Sequence, residues 1–187
     1  VLAHLAGRIP VFDLDGTLLD SDPAIVAAFA AIGVGAHEIR FGPLLEVECA
    51  RLGVRPEDYL AAYDGSLAVP YPGADAVVAA LADRTWAVCS NKEGIGGRAA
   101  LERAGWTPTV AAFADRFDGR GKTLRPVLDE LGVGADAIVY VGDTVHDAAC
   151  AAEVGCPFVV AGWNPRAAAL RGDAVAHDLL DLLALVR

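Results

Sequence analysis

Two aspartates one residue apart, Asp13 and Asp15, close an apolar run at Ile9–Leu14 and are followed at once by Gly16 and Thr17. On a regular strand, positions i and i+2 face the same side. A glycine in the next position lets the chain turn tightly and aim both carboxylates at one ligand. A second acidic pair, Asp143 and Asp147, has the i, i+4 spacing that places both on one face in the first turns of a helix. If the four carboxylates share a cleft they repel, and a like-charge pair about 4 Å apart costs roughly 4 kcal/mol at an effective dielectric of 20. A hard divalent cation with oxygen ligands answers that repulsion. Mg2+ in particular keeps waters and accepts a substrate phosphate beside one or two carboxylates. Lys122, expected at the start of a helix, can supply the remaining positive charge.

These residues need a scaffold that delivers them to one edge. Apolar runs bounded by turn residues recur at Ile9–Leu14, Thr85–Ser90, Val110–Phe113, Ala137–Val141 and Phe158–Ala161, each short enough for a strand buried on both faces. Between them Val77, Val78 and Leu81, then Leu101 and Ala104, then Val127, Leu128 and Leu131 keep helical spacing, with Gly132 as a stop. Alternation of this kind predicts βαβ units and a doubly wound parallel sheet, an α/β fold. From Pro23 to about Tyr71 the alternation fails and the pattern is helical only. Pro23 follows the capping Asp22 and opens one helix, Leu44–Leu52 stops at Gly53, and Pro56 opens a third. The expected division is a core of residues 1–20 and 72–187 and an all-helical cap of residues 21–71, with Pro70–Gly73 as the stiff return. Ligands of open α/β sheets bind beyond the carboxyl ends of the strands. Three such ends carry Asp13–Thr17, Ser90–Lys92 and Gly142–Asp147.

In this arrangement the chain resembles the haloacid dehalogenase-like hydrolases. Asp13-Leu14-Asp15-Gly16-Thr17-Leu18-Leu19-Asp20, Ser90-Asn91, Lys122 and Gly142-Asp143-Thr144-Val145-His146-Asp147 match that family's four motifs in order. The resemblance implies that Asp13 is a nucleophile that takes up a phosphoryl group. Asp15 would protonate the leaving oxygen and then activate water. Mg2+ would be held by the Asp13 carboxylate, the Asp15 carbonyl and Asp143, with Asp147 ligating it or orienting its waters. Ser90 and the amides of Leu14, Asp15 and Gly16 would hold phosphoryl oxygens, with Thr17 and Asn91 in the same substrate-binding set. Lys122 would neutralise developing charge.

Within the family it resembles, the carboxylate of Asp15 implies phosphoester rather than carbon–halogen chemistry. Ser90-Asn91-Lys92 and Tyr71-Pro72-Gly73 look most like the phosphoglycolate phosphatase branch, in which Lys92 either binds a substrate carboxylate or sits solvated at a helix start. The third motif departs from the family pattern, because Thr123-Leu124-Arg125-Pro126 follows Lys122; Arg125 is the alternative cation. The cap is short for its branch. A sugar-phosphate mutase and a non-catalytic binding protein on the same fold are the rival readings.

A formal net charge of −10 argues against a nucleic-acid partner, whose phosphates demand Lys and Arg. No apolar run is long enough for a membrane span, and Val1–Arg8 does not read as a secretory leader. Cys49, Cys89, Cys150 and Cys156 lack metal-ligand spacing and read as reduced buried thiols in a cytoplasm. The resemblance implies a small phosphorylated metabolite as partner, and a monomer or homodimer is expected. Gly94-Ile95-Gly96-Gly97-Arg98-Ala99 fits a dinucleotide fingerprint, but it starts several residues after the strand ends and reads as a flexible helix entrance. His146 reads as a helix-surface histidine near the cleft.

Overall fold

The structure, a computed structural model, describes residues 2–185. Among the described residues there are eight strands: β1 (Ile9–Phe12), β2 (Leu19–Asp20), β3 (Val69–Pro70), β4 (Ala87–Cys89), β5 (Val110–Ala112), β6 (Ile138–Gly142), β7 (Phe158–Ala161) and β8 (Ala174–Ala176). Six of them form one parallel sheet in the order β5-β4-β1-β6-β7-β8. The α/β expectation holds, and β8 extends the sheet beyond the five runs read from the sequence.

Strand β1 lies at the centre, and successive residues feed opposite faces. Phe12 packs with Val77, Leu81 and Leu101, whereas Val11 packs with Val127, Cys150 and Ala151. The two faces are covered by α4 (Ala74–Ala80) and α5 (Gly94–Ala104) on one side, and by α6 (Arg125–Leu131) and α7 (Val145–Val154) on the other. A sheet buried on both faces is what near-continuous apolar strands require.

The chain leaves this layer through β2 and returns through β3, which pair antiparallel as Leu19–Pro70 and Asp20–Val69. Between them lie α1 (Asp22–Ala31), α2 (Leu45–Leu52) and α3 (Pro56–Ala62). Asp22 is the first residue of α1 rather than its cap, a position that Ser21 occupies. These helices bury a small core of their own, in which the rings of Phe29 and Tyr59 lie 4.6 Å apart. Among the described residues no helix is long and apolar enough to cross a membrane.

The glycine-rich segment differs from its reading as a flexible entrance. It forms the first turns of α5, and the Glu93 carboxylate accepts the amides of Ile95 (2.9 Å) and Gly96 (2.8 Å), so donors a pyrophosphate would need are already used. Its glycines serve packing: a Cβ on Gly97 would come within 2.5 Å of the ring of Phe113, which is fully buried. Alanine there gains about 1 kcal/mol of helix propensity, but overpacking a closed core costs about 1–3 kcal/mol. Gly97→Ala is therefore expected to lower the urea midpoint, with a net loss of up to about 2 kcal/mol. An unchanged or raised midpoint would mean that Phe113 yields freely.

Candidate active site

The strand order places the ends of β4, β1 and β6 side by side, and each delivers a side chain to the same cleft. Strand β1 stops at Phe12, so Asp13 and Leu14 lie in the turn beyond it. The Leu14 carbonyl accepts amides from Thr17, Leu18 and Leu19, and Gly16 donates its own amide to Leu19 at 2.7 Å. Of the three backbone amides assigned to a phosphoryl group, that of Gly16 is thus already committed. Gly16 has φ +82°, and a Cβ there would stand 2.4 Å from the Asp143 carboxylate; only glycine fits this turn.

Asp13, Asp143 and Asp147 are all buried, and each offers a carboxylate oxygen within 4.8 Å of the others. Asp143 precedes the N-cap Thr144 rather than lying in the first turns of α7, while Asp147 completes a capping box. The Asp147 carboxylate is surrounded by donors: the Thr144 amide (2.8 Å), the Thr144 hydroxyl (2.6 Å), the Tyr140 hydroxyl (2.8 Å) and the Lys122 ammonium. Burial alone would raise its pKa, but Lys122 and these hydrogen bonds outweigh burial and lower it.

Asp143 accepts from the Thr17 hydroxyl at 3.2 Å and the Asn164 amide at 2.9 Å, and Arg166 Nε stands 3.1 Å away. Burial, with Asp13 and Asp147 alongside, nonetheless pushes its pKa to about 8. Asp13 is raised to about 7, by burial against the pull of Lys122. Its Oδ1 lies 3.0 Å from Lys122 Nζ yet lacks hydrogen-bond geometry to any donor. A buried, unsatisfied oxygen among three carboxylates suits a divalent metal ion: the donors are hard oxygens and the charge is unbalanced.

Lys122 is not at a helix start. It sits in the loop before α6, with its amide donated to Asn91 Oδ1 at 2.7 Å and its side chain only 2% exposed. Burial opposes its charge, but Asp13 and Asp147 outweigh burial and raise its pKa. The alternative cation, Arg125, instead pairs with Glu153 on the exposed surface. Asn91 has both ends engaged, since its Nδ2 also donates to the Gly42 carbonyl at 2.7 Å. Thr17, likewise placed in the substrate set, has its hydroxyl on Asp143. Ser90 is buried at the floor of the cleft.

The Lys92 side chain is only 8% exposed, which removes the solvated reading. Its ammonium lies 3.1 Å from both oxygens of Asp15 and 2.9 Å from the Tyr63 hydroxyl, at the end of α3. Burial works against its charge, but Asp15 and Tyr63 outweigh that and raise its pKa. The helical insertion forms the opposite wall with Phe29, Phe41 and Tyr59. Phe41 also stacks on Arg166, whose guanidinium reaches Asp22. His146 is half-buried beneath Gly42, and burial lowers its pKa; it is outside the acidic cluster.

Asn164 and Arg166 were missed in the sequence, although they follow the end of β7 and so obey the same strand-end rule. Tyr140 and Tyr63 carried no local signal, because a strand tyrosine and a helix-end tyrosine ordinarily read as core.

Fold and site together define an α/β enzyme with a carboxylate centre prepared for a cation. Residues 10–161 match the haloacid dehalogenase-like hydrolase family, and the chain belongs to it. A phosphoglycolate phosphatase of Xylella fastidiosa (strain 9a5c) is 32% identical over 188 residues, covering 85% of this chain and 82% of that one. A phosphoglycolate phosphatase of Rhodospirillum rubrum is 31% identical over 195 residues, covering 82% and 79%. Among solved structures, a haloacid dehalogenase-like family hydrolase from Streptococcus pneumoniae superposes with a TM-score of 0.80 at 20% identity, covering 98% of this chain and 100% of that one.

The raised values of Asp13 and Asp143 have a definite consequence in the metal-free protein. The folded state binds these protons more tightly than the unfolded chain, whose carboxyls titrate near 3.8. Their contribution is therefore fully present below that value and is lost as pH rises through about 7 and 8. In EDTA, the Tm of Asp143→Asn minus that of wild type is expected to grow from about pH 5 to about pH 8. A constant or shrinking difference would contradict the assignment.

Proposed function

We propose that the chain is a Mg2+-dependent phosphatase that hydrolyses a small phosphomonoester, such as phosphoglycolate, through an aspartyl-phosphate on Asp13. The observation that carries this reading is the Asp13 carboxylate itself, buried beside Lys122 with an oxygen that no donor satisfies. It is a nucleophile held in place but left free to bond. Relatives named phosphoglycolate phosphatase, each spanning most of the chain, support the substrate class.

In the first half-reaction an Asp13 oxygen bonds to phosphorus as the ester P–O bond breaks, and Asp15 gives its proton to the departing alkoxide. In the second, Asp15 takes a proton from water, whose oxygen attacks the phosphorus of the aspartyl-phosphate; phosphate leaves and the Asp13 carboxylate is restored. Lys122 holds Asp13 in position and offsets negative charge on the phosphoryl oxygens, with the Ser90 hydroxyl and the amides of Leu14 and Asp15 as further donors. Mg2+ would be held by the carboxylates of Asp13 and Asp143 and the carbonyl of Asp15, and would supply charge neutralisation on the transferring group. Asp147, with both oxygens already occupied, holds Lys122 in place and would orient water beside the cation. Residues 21–71 act as a cap over the core of residues 1–20 and 72–187, excluding water from the cleft. Four buried free cysteines favour a reducing, cytoplasmic setting.

The test is release of inorganic phosphate from p-nitrophenyl phosphate and from phosphoglycolate, with Mg2+ and with EDTA. Wild type is expected to be active only with Mg2+, and Asp13→Asn to lose at least about 10³-fold. Wild type that releases no phosphate from either ester, or Asp13→Asn that retains activity, would overturn the reading. Conversion of a sugar phosphate without free phosphate would instead identify a mutase.

A further inference from the structure

Asp143 has an ion-pair partner other than Lys122. Arg166 follows the end of β7, in the short helical turn Pro165–Ala169, and its Nε stands 3.1 Å from Asp143 Oδ2. Groups outside the acidic centre hold this guanidinium. It reaches the Asp22 carboxylate, stacks with its Cζ 4.1 Å from the centre of the Phe41 ring, and donates from Nε to Asn164 Oδ1 at 3.3 Å. Asn164 completes the clamp by donating from Nδ2 to Asp143 Oδ2 and to the Gly16 carbonyl, both at 2.9 Å. Asp22 and Phe41 belong to the insertion, so the cation beside Asp143 is fixed in part from there.

A guanidinium keeps its charge at any pH the fold tolerates, and stacking together with its polar partners leaves this one little freedom to withdraw. The Arg166 side chain is 20% exposed against 0% for Asp143, so solvent screens the pair only in part. Under the phosphatase reading, on which this inference rests, Asp143 holds Mg2+. A divalent ion drawn to that carboxylate meets a fixed positive charge beside one of its oxygens, while the other already accepts from the Thr17 hydroxyl at 3.2 Å. We infer that Arg166 competes with Mg2+ for the Asp143 carboxylate and sets the metal affinity below what the three clustered carboxylates would give without it. Lys122 differs, because its charge is matched by Asp147, whose oxygens the protein already engages. Arg166 instead shares the carboxylate whose charge the fold leaves incomplete. The guanidinium is divided between Asp143 and Asp22, so the insertion takes part in setting the affinity: Asp22 draws positive charge away from Asp143.

The experiment is a calorimetric titration of the metal-stripped protein with MgCl2 about one pH unit above the value of about 8 for Asp143, where protons compete little with the metal. Arg166→Gln, which keeps a hydrogen-bond donor and removes the charge, is expected to tighten Mg2+ binding by about 3- to 10-fold, and to enlarge the rise in Tm that Mg2+ produces. Arg166→Lys keeps the charge and is expected to bind within about 2-fold of wild type. Asp22→Asn leaves the guanidinium to Asp143 alone and is expected to weaken binding by about 2- to 5-fold. If Arg166 only braced Asp143, its loss would weaken metal binding. Unchanged or weaker binding in Arg166→Gln therefore overturns the inference, as does equal tightening in Arg166→Lys. Should Arg166→Gln fail to fold, Asp22→Asn decides, and unchanged or tighter binding there overturns it. Failure of the metal assignment itself looks different, since wild type would then bind no Mg2+ or Asp143→Asn would bind it as tightly as wild type.

Discussion

Three carboxylates buried within 4.8 Å of one another impose the constraint from which the surrounding architecture follows. A like-charge pair at about 4 Å costs roughly 4 kcal/mol at an effective dielectric of 20, comparable to a large share of a domain's net stability. The chain answers with Lys122, and the delivery of that lysine reaches far. Its amide is held by Asn91, at the end of β4, and Asn91 is in turn anchored to the Gly42 carbonyl in the helical insertion. A cation needed at the end of β1 is thus positioned through a strand neighbour and through the insertion. The insertion is coupled to the electrostatics of the centre, beyond covering it.

The same logic separates the two ends of the cleft. Asp13, Asp143 and Asp147 converge with Lys122 and Arg166, while Asp15 turns toward Lys92 and Tyr63. The turn at Gly16 makes this possible, because a strand continuing past Asp13 would keep Asp15 on the same face of the sheet, beside the partners of Asp13. One tight turn gives two adjacent aspartates different partners, and so different tasks. Arg166 reinforces the arrangement from the end of β7, touching Asp143, Asp22 and Phe41 together.

Much of this was legible in the sequence because it depends on local patterns. Short apolar runs gave the strands, glycines at 53 and 132 marked helix stops that the structure shows in left-handed conformation, and residues past the strand ends gave the acidic centre. What escaped notice depends on tertiary contact. Strand β8 is only three residues long and carries two alanines, so its periodicity is weak. The β2–β3 stem pairs two residues with two others about fifty positions away, which no local window registers. Lys122 was assigned to a helix because Pro126 and the apolar spacing after it point to one nearby, but that helix begins at Arg125. The burial of Lys92 was equally hidden, since it depends on Tyr63 descending from the insertion.

Asp143 and Asp147 show most directly how environment divides identical side chains. Both are buried, and they lie four residues apart. Asp147 meets the Thr144 amide and hydroxyl, the Tyr140 hydroxyl and Lys122, and its pKa falls. Asp143 meets neutral donors and the more exposed Arg166, faces Asp13 and Asp147, and rises to about 8. The charge of Asp147 is therefore satisfied by the protein, whereas those of Asp143 and Asp13 are left incomplete. A group whose charge the fold does not compensate has most to gain from an external cation. The unequal treatment of two aspartates on one loop–helix junction thus separates the residues suited to hold a metal ion from the one suited to hold the lysine beside it.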